Sequence, residues 1–183
     1  MLKRRFRNVA IVLEDIHDPH NAAAIMRTAD ALGIQDVRLV FEQEGPWNPR
    51  RIGKSSSSSA NKWLSFQVYK GTQSALAALA AEGFSSIATV LVGADALLGE
   101  YDFTRHEKVA LWVGNEHRGV SDAARAGAVT RVVLPMQGMV ESLNVSVAAA
   151  LCLYEVTRQR KALKDAYLPE DVVHTLAQEL MAR

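Results

Sequence analysis

Six stretches dominated by apolar residues, rich in valine and isoleucine, recur along the chain at residues 9–13, 37–41, 66–69, 87–92, 109–113 and 129–134. A strand with one wet face alternates apolar and polar residues, so runs without alternation predict strands covered on both sides. Segments with helical periodicity separate them, at residues 22–32, 72–82, 121–126, 143–161 and 169–182, with Gly33, Gly83 and Gly127 as helix stops. Buried strands alternating with helices define an α/β fold, a mostly parallel sheet flanked by helices.

A length of 183 residues accommodates one well-packed domain over 1–183, with a short basic N-terminal extension and an amphipathic C-terminal helix. No apolar run is long enough to cross a bilayer, and the basic N-terminus lacks the apolar core and cleavage site of a secretory signal, so a cytoplasmic location is expected. The single cysteine, Cys152, excludes an intrachain disulfide and a cysteine zinc site. Its neighbours Ala148, Ala149, Leu151 and Leu153 predict a buried structural thiol.

Three polar clusters interrupt this apolar framework. In LPMQGMVESLNVSVAAAL, residues 134–151, a proline turn and Gly138 lead to Ser142 and Asn144, both good helix N-caps, and then to an alanine-rich helix. In HDPHNAAAIMRTADALG, residues 17–33, Asn21 precedes a helix and Arg27 follows six residues later. At the α-helical rise that is about 9 Å along the axis, so only a long side chain curling back shares a site with Asn21. In LWVGNEHRGVSDAARAG, residues 111–127, Gly114, Asn115 and Glu116 follow directly on an apolar strand. The carboxyl end of a strand is the usual ligand position in an α/β sheet.

In this order and with these flanks, the clusters resemble the three signature motifs of the TrmH (SpoU) group of SPOUT RNA 2′-O-ribose methyltransferases. Asn21 with Arg27 matches the first motif, Gly114 to Glu116 with Gly119 the second, and Pro135 through Asn144 the third. The likeness extends from about Val9 to Arg160. It implies a deep trefoil knot in the C-terminal part of the sheet, a property that periodicity cannot reveal. It also implies a homodimer in which Arg27 faces the partner's cofactor, and an RNA substrate.

The cofactor implied is S-adenosyl-L-methionine, whose sulfonium makes the methyl carbon electrophilic without a metal. The protein then has to align donor and acceptor and help remove a proton. The resemblance assigns Asn21, Arg27, Glu116, Ser142 and Asn144 to catalysis and Leu91, Gly114, Leu134, Met136 and Leu143 to the cofactor pocket. Family members are held to use the arginine matching Arg27 to activate the ribose hydroxyl. A guanidinium with a pKa above about 12 is a poor base. Orientation and stabilisation of the developing alkoxide suit it better, with a substrate phosphate accepting the proton.

A net charge of +1 argues against RNA binding by bulk charge, so the placement of basic residues matters more. Lys3, Arg4, Arg5 and Arg7 form one cluster, Arg50, Arg51 and Lys54 a second, and Arg158, Arg160, Lys161 and Lys164 a third. Arg7, Arg158 and Arg160 are the candidate RNA contacts. The serine run at 55–59 reads equally as a linker or as hydroxyls for an RNA backbone. The segment from Asn21 to Gly33 and the basic helix after Tyr154 look most like the tRNA enzymes that methylate a D-loop guanosine ribose. The alternatives are a ribosomal RNA target and a knotted RNA-binding protein without catalysis. A dinucleotide-binding oxidoreductase is disfavoured, because residues 15–20 contain no Gly-x-Gly-x-x-Gly.

Overall fold

A computed structural model describes residues 2–52 and 60–182. Lys54 and the serine run at 55–59, read above as a linker or an RNA contact, lie outside the described residues.

Seven strands form one sheet: β1 Phe6–Glu14, β2 Ile34–Val40, β3 Ser65–Tyr69, β4 Phe84–Thr89, β5 Ala96–Leu97, β6 Lys108–Val113 and β7 Thr130–Val133. Their order is β3-β2-β1-β6-β4-β7-β5 and every pairing is parallel. Each of the six apolar runs overlaps a strand, but the edge strand β3 is not covered on both faces, since its Gln67 and Val68 are exposed. The two-residue β5, paired only with β7, carries too little sequence to be read as one.

The helices are α1 Pro19–Ala31, α2 Thr72–Ala81, α3 Asp122–Gly127, α4 Val145–Arg160 and α5 Glu170–Met181. Side chains of β1 alternate between two apolar layers, which is why its run lacks polar residues. Val9, Ile11 and Leu13 join Ala22, Ile25, Met26, Ala149, Leu153 and Val156 of α1 and α4. Ala10 and Val12 face the other way, onto Ala75 and Leu79 of α2 and Ala124 of α3. On that second side the small residues Ala10, Ala88 and Ala110 leave room for the fully buried Trp112.

Two helix ends differ from expectation. Helix α1 begins before Asn21, because Asp18 is its N-cap, accepting from the His20 amide at 2.8 Å, and Pro19 fills the first helical position. Gly127 is the last residue of α3 and not a left-handed stop. Gly33 does turn left-handed, at φ 81°, and a Cβ there would lie 2.5 Å from the Arg4 carbonyl oxygen. That carbonyl passes against the α1 to β2 turn, so no larger residue fits.

Candidate active site

The parallel order brings the carboxyl ends of β1, β4, β6 and β7 to one edge of the sheet. At the end of β1 the chain turns through Asp15, a non-glycine residue at φ 51°, a conformation aspartate tolerates better than most. The turn sends the Asp15 side chain and carbonyl to different loops. Its carboxylate accepts the main-chain amides of Glu42 at 2.8 Å, Gln43 at 3.1 Å and Glu44 at 3.2 Å. Its carbonyl accepts from Asn115 Nδ2 at 2.8 Å. Its neighbour Glu14, buried, accepts from Thr72 Oγ1 and from both the amide and the hydroxyl of Ser121, each of the latter at 2.7 Å. Together the two carboxylates tie the starts of α2 and α3 and the loop after β2 to the end of β1, and the Asp15 carbonyl ties in the turn between β6 and α3.

That turn is tight because Gly114 has no side chain: a Cβ would lie 2.1 Å from the Gly119 carbonyl carbon. Asn115 and Gly119 exchange main-chain hydrogen bonds of 3.0 and 2.8 Å. Asn115 Oδ1 closes the inside, accepting the amides of His117 at 2.9 Å and Arg118 at 3.2 Å. Glu116 is thereby aimed at the start of α1. One carboxylate oxygen accepts the His17 amide at 2.8 Å, and the other accepts the Asp18 amide at 3.1 Å and Asn21 Nδ2 at 2.9 Å. Burial pushes the Glu116 carboxyl up, but the hydrogen bonds from Asn21, His17 and Asp18 outweigh it and hold the group below the usual carboxylate range. An anion at a helix N-terminus is also favoured by the helix dipole.

Asn21 links this turn to the third motif. Its Oδ1 accepts from Asn144 Nδ2 at 3.1 Å. Asn144 is the N-cap of α4, its own Oδ1 accepting the Ser146 amide at 2.8 Å and the Ser146 hydroxyl at 2.6 Å. One residue from each motif therefore joins a single hydrogen-bonded line, Glu116 to Asn21 to Asn144.

Beside Glu116 opens a cavity of about 260 Å³ at the ends of β4, β6 and β7. Leu91, Gly114, Leu134, Met136 and Leu143, the five residues read as cofactor contacts, all line it, as do Glu116 and Ser142. Its wall also includes the buried Val90, Val113 and Cys152. Burial raises the Cys152 thiol to about 12, so the cavity meets a neutral sulfhydryl. Among the described residues, the main-chain groups of 135–143 make no hydrogen bonds with other main-chain groups. Apolar walls and open amide groups fit a purine, whose faces are apolar and whose edges carry donors and acceptors.

Arg27 is exposed on α1 and does not line the cavity of its own chain. Asp30, on the same helix, pairs with Arg5, which is buried and so turned away from the basic N-terminal cluster. Arg7 is exposed, and Arg158 is half-exposed and paired with Glu155 at 2.7 Å. Arg160 corrects the expectation of an RNA contact. It is fully buried, donating to the carbonyls of Phe103 at 2.7 Å, His106 at 3.0 Å and Glu107 at 2.6 Å. It holds the loop before β6 to α4 and has no surface to offer RNA. Sequence reading also missed Glu14, Asp15, Glu44 and Ser121, and assigned no role to Asn115; Asp15 before the apolar break and Ser121 as an N-cap were the available signals.

A parallel α/β sheet with a cavity at its carboxyl edge, flanked by the hydrogen-bonded line of Glu116, Asn21 and Asn144, is the arrangement of the α/β proteins that bind a small molecule there. Within that class, the chain belongs to the SpoU rRNA Methylase family, whose model matches residues 8–154. It is 38% identical over 161 residues to the tRNA (guanosine(18)-2′-O)-methyltransferase of Escherichia coli K12, covering 88% of this chain and 68% of the relative. The enzyme of the same name from Thermus thermophilus is 38% identical over 87% of this chain and 79% of its own length. Among solved structures, the Aquifex aeolicus TrmH/SpoU tRNA modifying enzyme superposes with a TM-score of 0.87 at 28% identity, over 99% of this chain and 91% of that one. The Streptomyces viridochromogenes SpoU methyltransferase AviRb, solved with AdoMet, superposes with a TM-score of 0.73 at 25% identity, over 88% and 64%.

Proposed function

We propose that the chain transfers a methyl group from S-adenosylmethionine to the ribose 2′-hydroxyl of a guanosine in tRNA. The observation that carries this reading is the line from Glu116 through Asn21 to Asn144 beside a cavity with apolar walls and open main-chain groups. A tRNA target is favoured over ribosomal RNA because the tRNA enzymes of Escherichia coli and Thermus thermophilus are 38% identical to this chain, whereas the 23S rRNA (guanosine-2′-O-)-methyltransferase RlmB of Acinetobacter baylyi is 32% identical and matched over 63% of its length.

When bound, S-adenosylmethionine supplies an electrophilic methyl carbon. Leu91, Leu134, Met136 and Leu143 would hold it between apolar side chains, with the main chain of 135–143 reading its polar edges and Gly114 lining the cavity through its main chain. The Cys152 thiol stays protonated and does not compete with the ribose as a nucleophile. Asn21 has its amide committed to Glu116 and its carbonyl to Asn144, so it cannot rotate without breaking both bonds. Such rigid polar groups orient an acceptor hydroxyl at no cost of reorganisation. Ser142, exposed on the cavity wall, completes the substrate side. Arg27 holds the ribose oxygen and stabilises negative charge as the proton leaves, with a substrate phosphate as proton acceptor.

The chain acts as a homodimer, each Arg27 serving the partner's cavity. Val147, Leu151 and Tyr154 support this reading, since they leave an apolar stripe on α4 that is 47%, 44% and 58% exposed. Residues 1–183 form one domain whose 134–143 segment threads a trefoil knot. Arg7 and Arg158 contact the RNA. The enzyme works in the cytoplasm; among the described residues no helix is long and apolar enough to cross a membrane.

Incubating the protein with methyl-labelled S-adenosylmethionine and unmodified tRNA tests the reading. Label enters the RNA, and Arg27→Ala lowers the rate about a hundredfold or more while the thermal unfolding curve is unchanged. Undiminished transfer by Arg27→Ala removes that residue from the mechanism.

A further inference from the structure

The chain has three tryptophans: one buried, one half-buried and one exposed. Trp112 is fully buried, and Trp47 packs edge-on against Phe41 with ring centroids 5.1 Å apart. Trp63 is 46% exposed. Among the described residues no aromatic ring contacts it. Trp63 thus keeps part of an amphipathic ring in solvent, where its face is open to a partner.

Its surroundings select the partner. Asn61, buried, donates to the carbonyls of Pro49 at 3.1 Å and Ile52 at 3.3 Å. This clasp folds the turn carrying Arg50 and Arg51 against the short 3-10 helix Ala60–Lys62, which leads directly into Trp63. Arg50, Arg51 and Lys62 are all exposed. Neither Arg51 nor Lys62 forms a salt bridge among the described residues. Gln35, buried below, donates to the Trp63 carbonyl at 2.9 Å and fixes the height of the ring. The 3-10 helix packs on α1, the helix that carries Asn21 and Arg27.

We propose that Trp63 is a stacking platform for an unpaired base of the RNA substrate, with Arg51 and Lys62 holding the flanking phosphates. The inference rests on the RNA-methyltransferase reading and extends its substrate surface beyond the cavity. An exposed indole beside Arg51 and Lys62, exposed cations that form no salt bridge among the described residues, matches single-stranded RNA: the ring face takes a base of any identity, and the cations take the backbone. Double-stranded RNA offers no splayed base and would not use the ring.

The experiment compares wild type, Trp63→Ala, Trp63→Phe and the Arg51→Ala/Lys62→Ala double variant for affinity to an unmodified tRNA transcript, with S-adenosylmethionine affinity and melting temperature measured in parallel. Trp63→Ala weakens RNA binding about tenfold or more, Trp63→Phe retains most of it, and cofactor affinity is unchanged. The double variant lowers the slope of log affinity against log salt by about two. The emission difference between wild type and Trp63→Phe, which isolates the Trp63 signal, is quenched by tRNA and not by heparin. RNA affinity unchanged in Trp63→Ala, or equal quenching by heparin, overturns the stacking role. The binding ratios need no turnover, so a failure of methyl transfer in the wild type counts against the function proposed above and leaves this test intact.

Discussion

The Glu116 carboxylate accepts a hydrogen bond from the Asn21 amide at 2.9 Å across 95 residues of sequence. Two main-chain amides, of His17 and Asp18, share the same carboxylate, so three donors require both oxygens as acceptors. Glu116→Gln supplies only one. Its amide nitrogen would face a donor, either His17 or the Asn21 and Asp18 pair, and Asn21 would lose its orientation. The expected outcome is a fall in kcat of about a hundredfold, with the fold retained by circular dichroism. Wild-type kcat in this variant would show that the link does not position the acceptor.

Asp15 sits one step behind that link, holding three amides of the loop after β2 with its carboxylate and Asn115 with its carbonyl. Asparagine tolerates the left-handed backbone and keeps one acceptor, whereas alanine does neither well. Asp15→Ala is expected to lose about 1–2 kcal/mol of stability and to depress kcat more than the KM for RNA, and Asp15→Asn to restore most of both. Denaturant unfolding and steady-state kinetics on the pair separate the two effects.

Arg158 and Arg160 are two residues apart and should respond in opposite ways to mutation. Arg160→Met strips the donor from three carbonyls in a closed interior, a change expected to cost about 3 kcal/mol and roughly 10 °C in Tm. Burial lowers the Arg160 guanidinium to about 10, so it remains charged at neutral pH. Arg158→Ala removes a surface pair with Glu155 and should leave Tm nearly unchanged. Calorimetry of the two variants checks the contrast.

His17 donates from Nδ1 to Glu44 at 3.0 Å, and Glu44 also takes Arg118 at 2.8 Å. The hydrogen bond to Glu44 raises the imidazole above its ordinary 6.5. A raised value in the folded state means that the link is fully formed below 6.5 and is lost as pH rises through the folded value. An NMR titration is expected to place His17 above 6.5 in the wild type and to return it toward 6.5 in Glu44→Gln. No movement between the two proteins would dissociate His17 from Glu44.

How far these features were legible depended on the range of the interaction involved. Strands were plain because burial on two faces leaves an uninterrupted apolar run, as in the Ile11 to Leu13 stretch packed between both helix layers. The cavity-lining residues were nameable through motif likeness alone; nothing in the spacing of Leu91, Leu134 and Leu143 says that they share a wall. Glu14 and Asp15 were missed because their partners lie 27 to 107 residues away, and a carboxylate ending a strand carries no local sign of which amides it will meet. Arg160 misled because a run of basic residues reads as a solvated face, while its partners are carbonyls, which leave no mark on side-chain composition. Asn21, expected to precede the helix, lies inside it, because Asp18 and Pro19 take the capping positions and leave its side-chain amide for Glu116.

The decisive measurement is nucleoside analysis by mass spectrometry of unmodified tRNA treated with the protein and isotopically labelled S-adenosylmethionine. Labelled 2′-O-methylguanosine is the expected product, absent when Asn21→Ala replaces the wild type. A label found on a base, or no label in tRNA while another RNA is methylated, would contradict the proposed function.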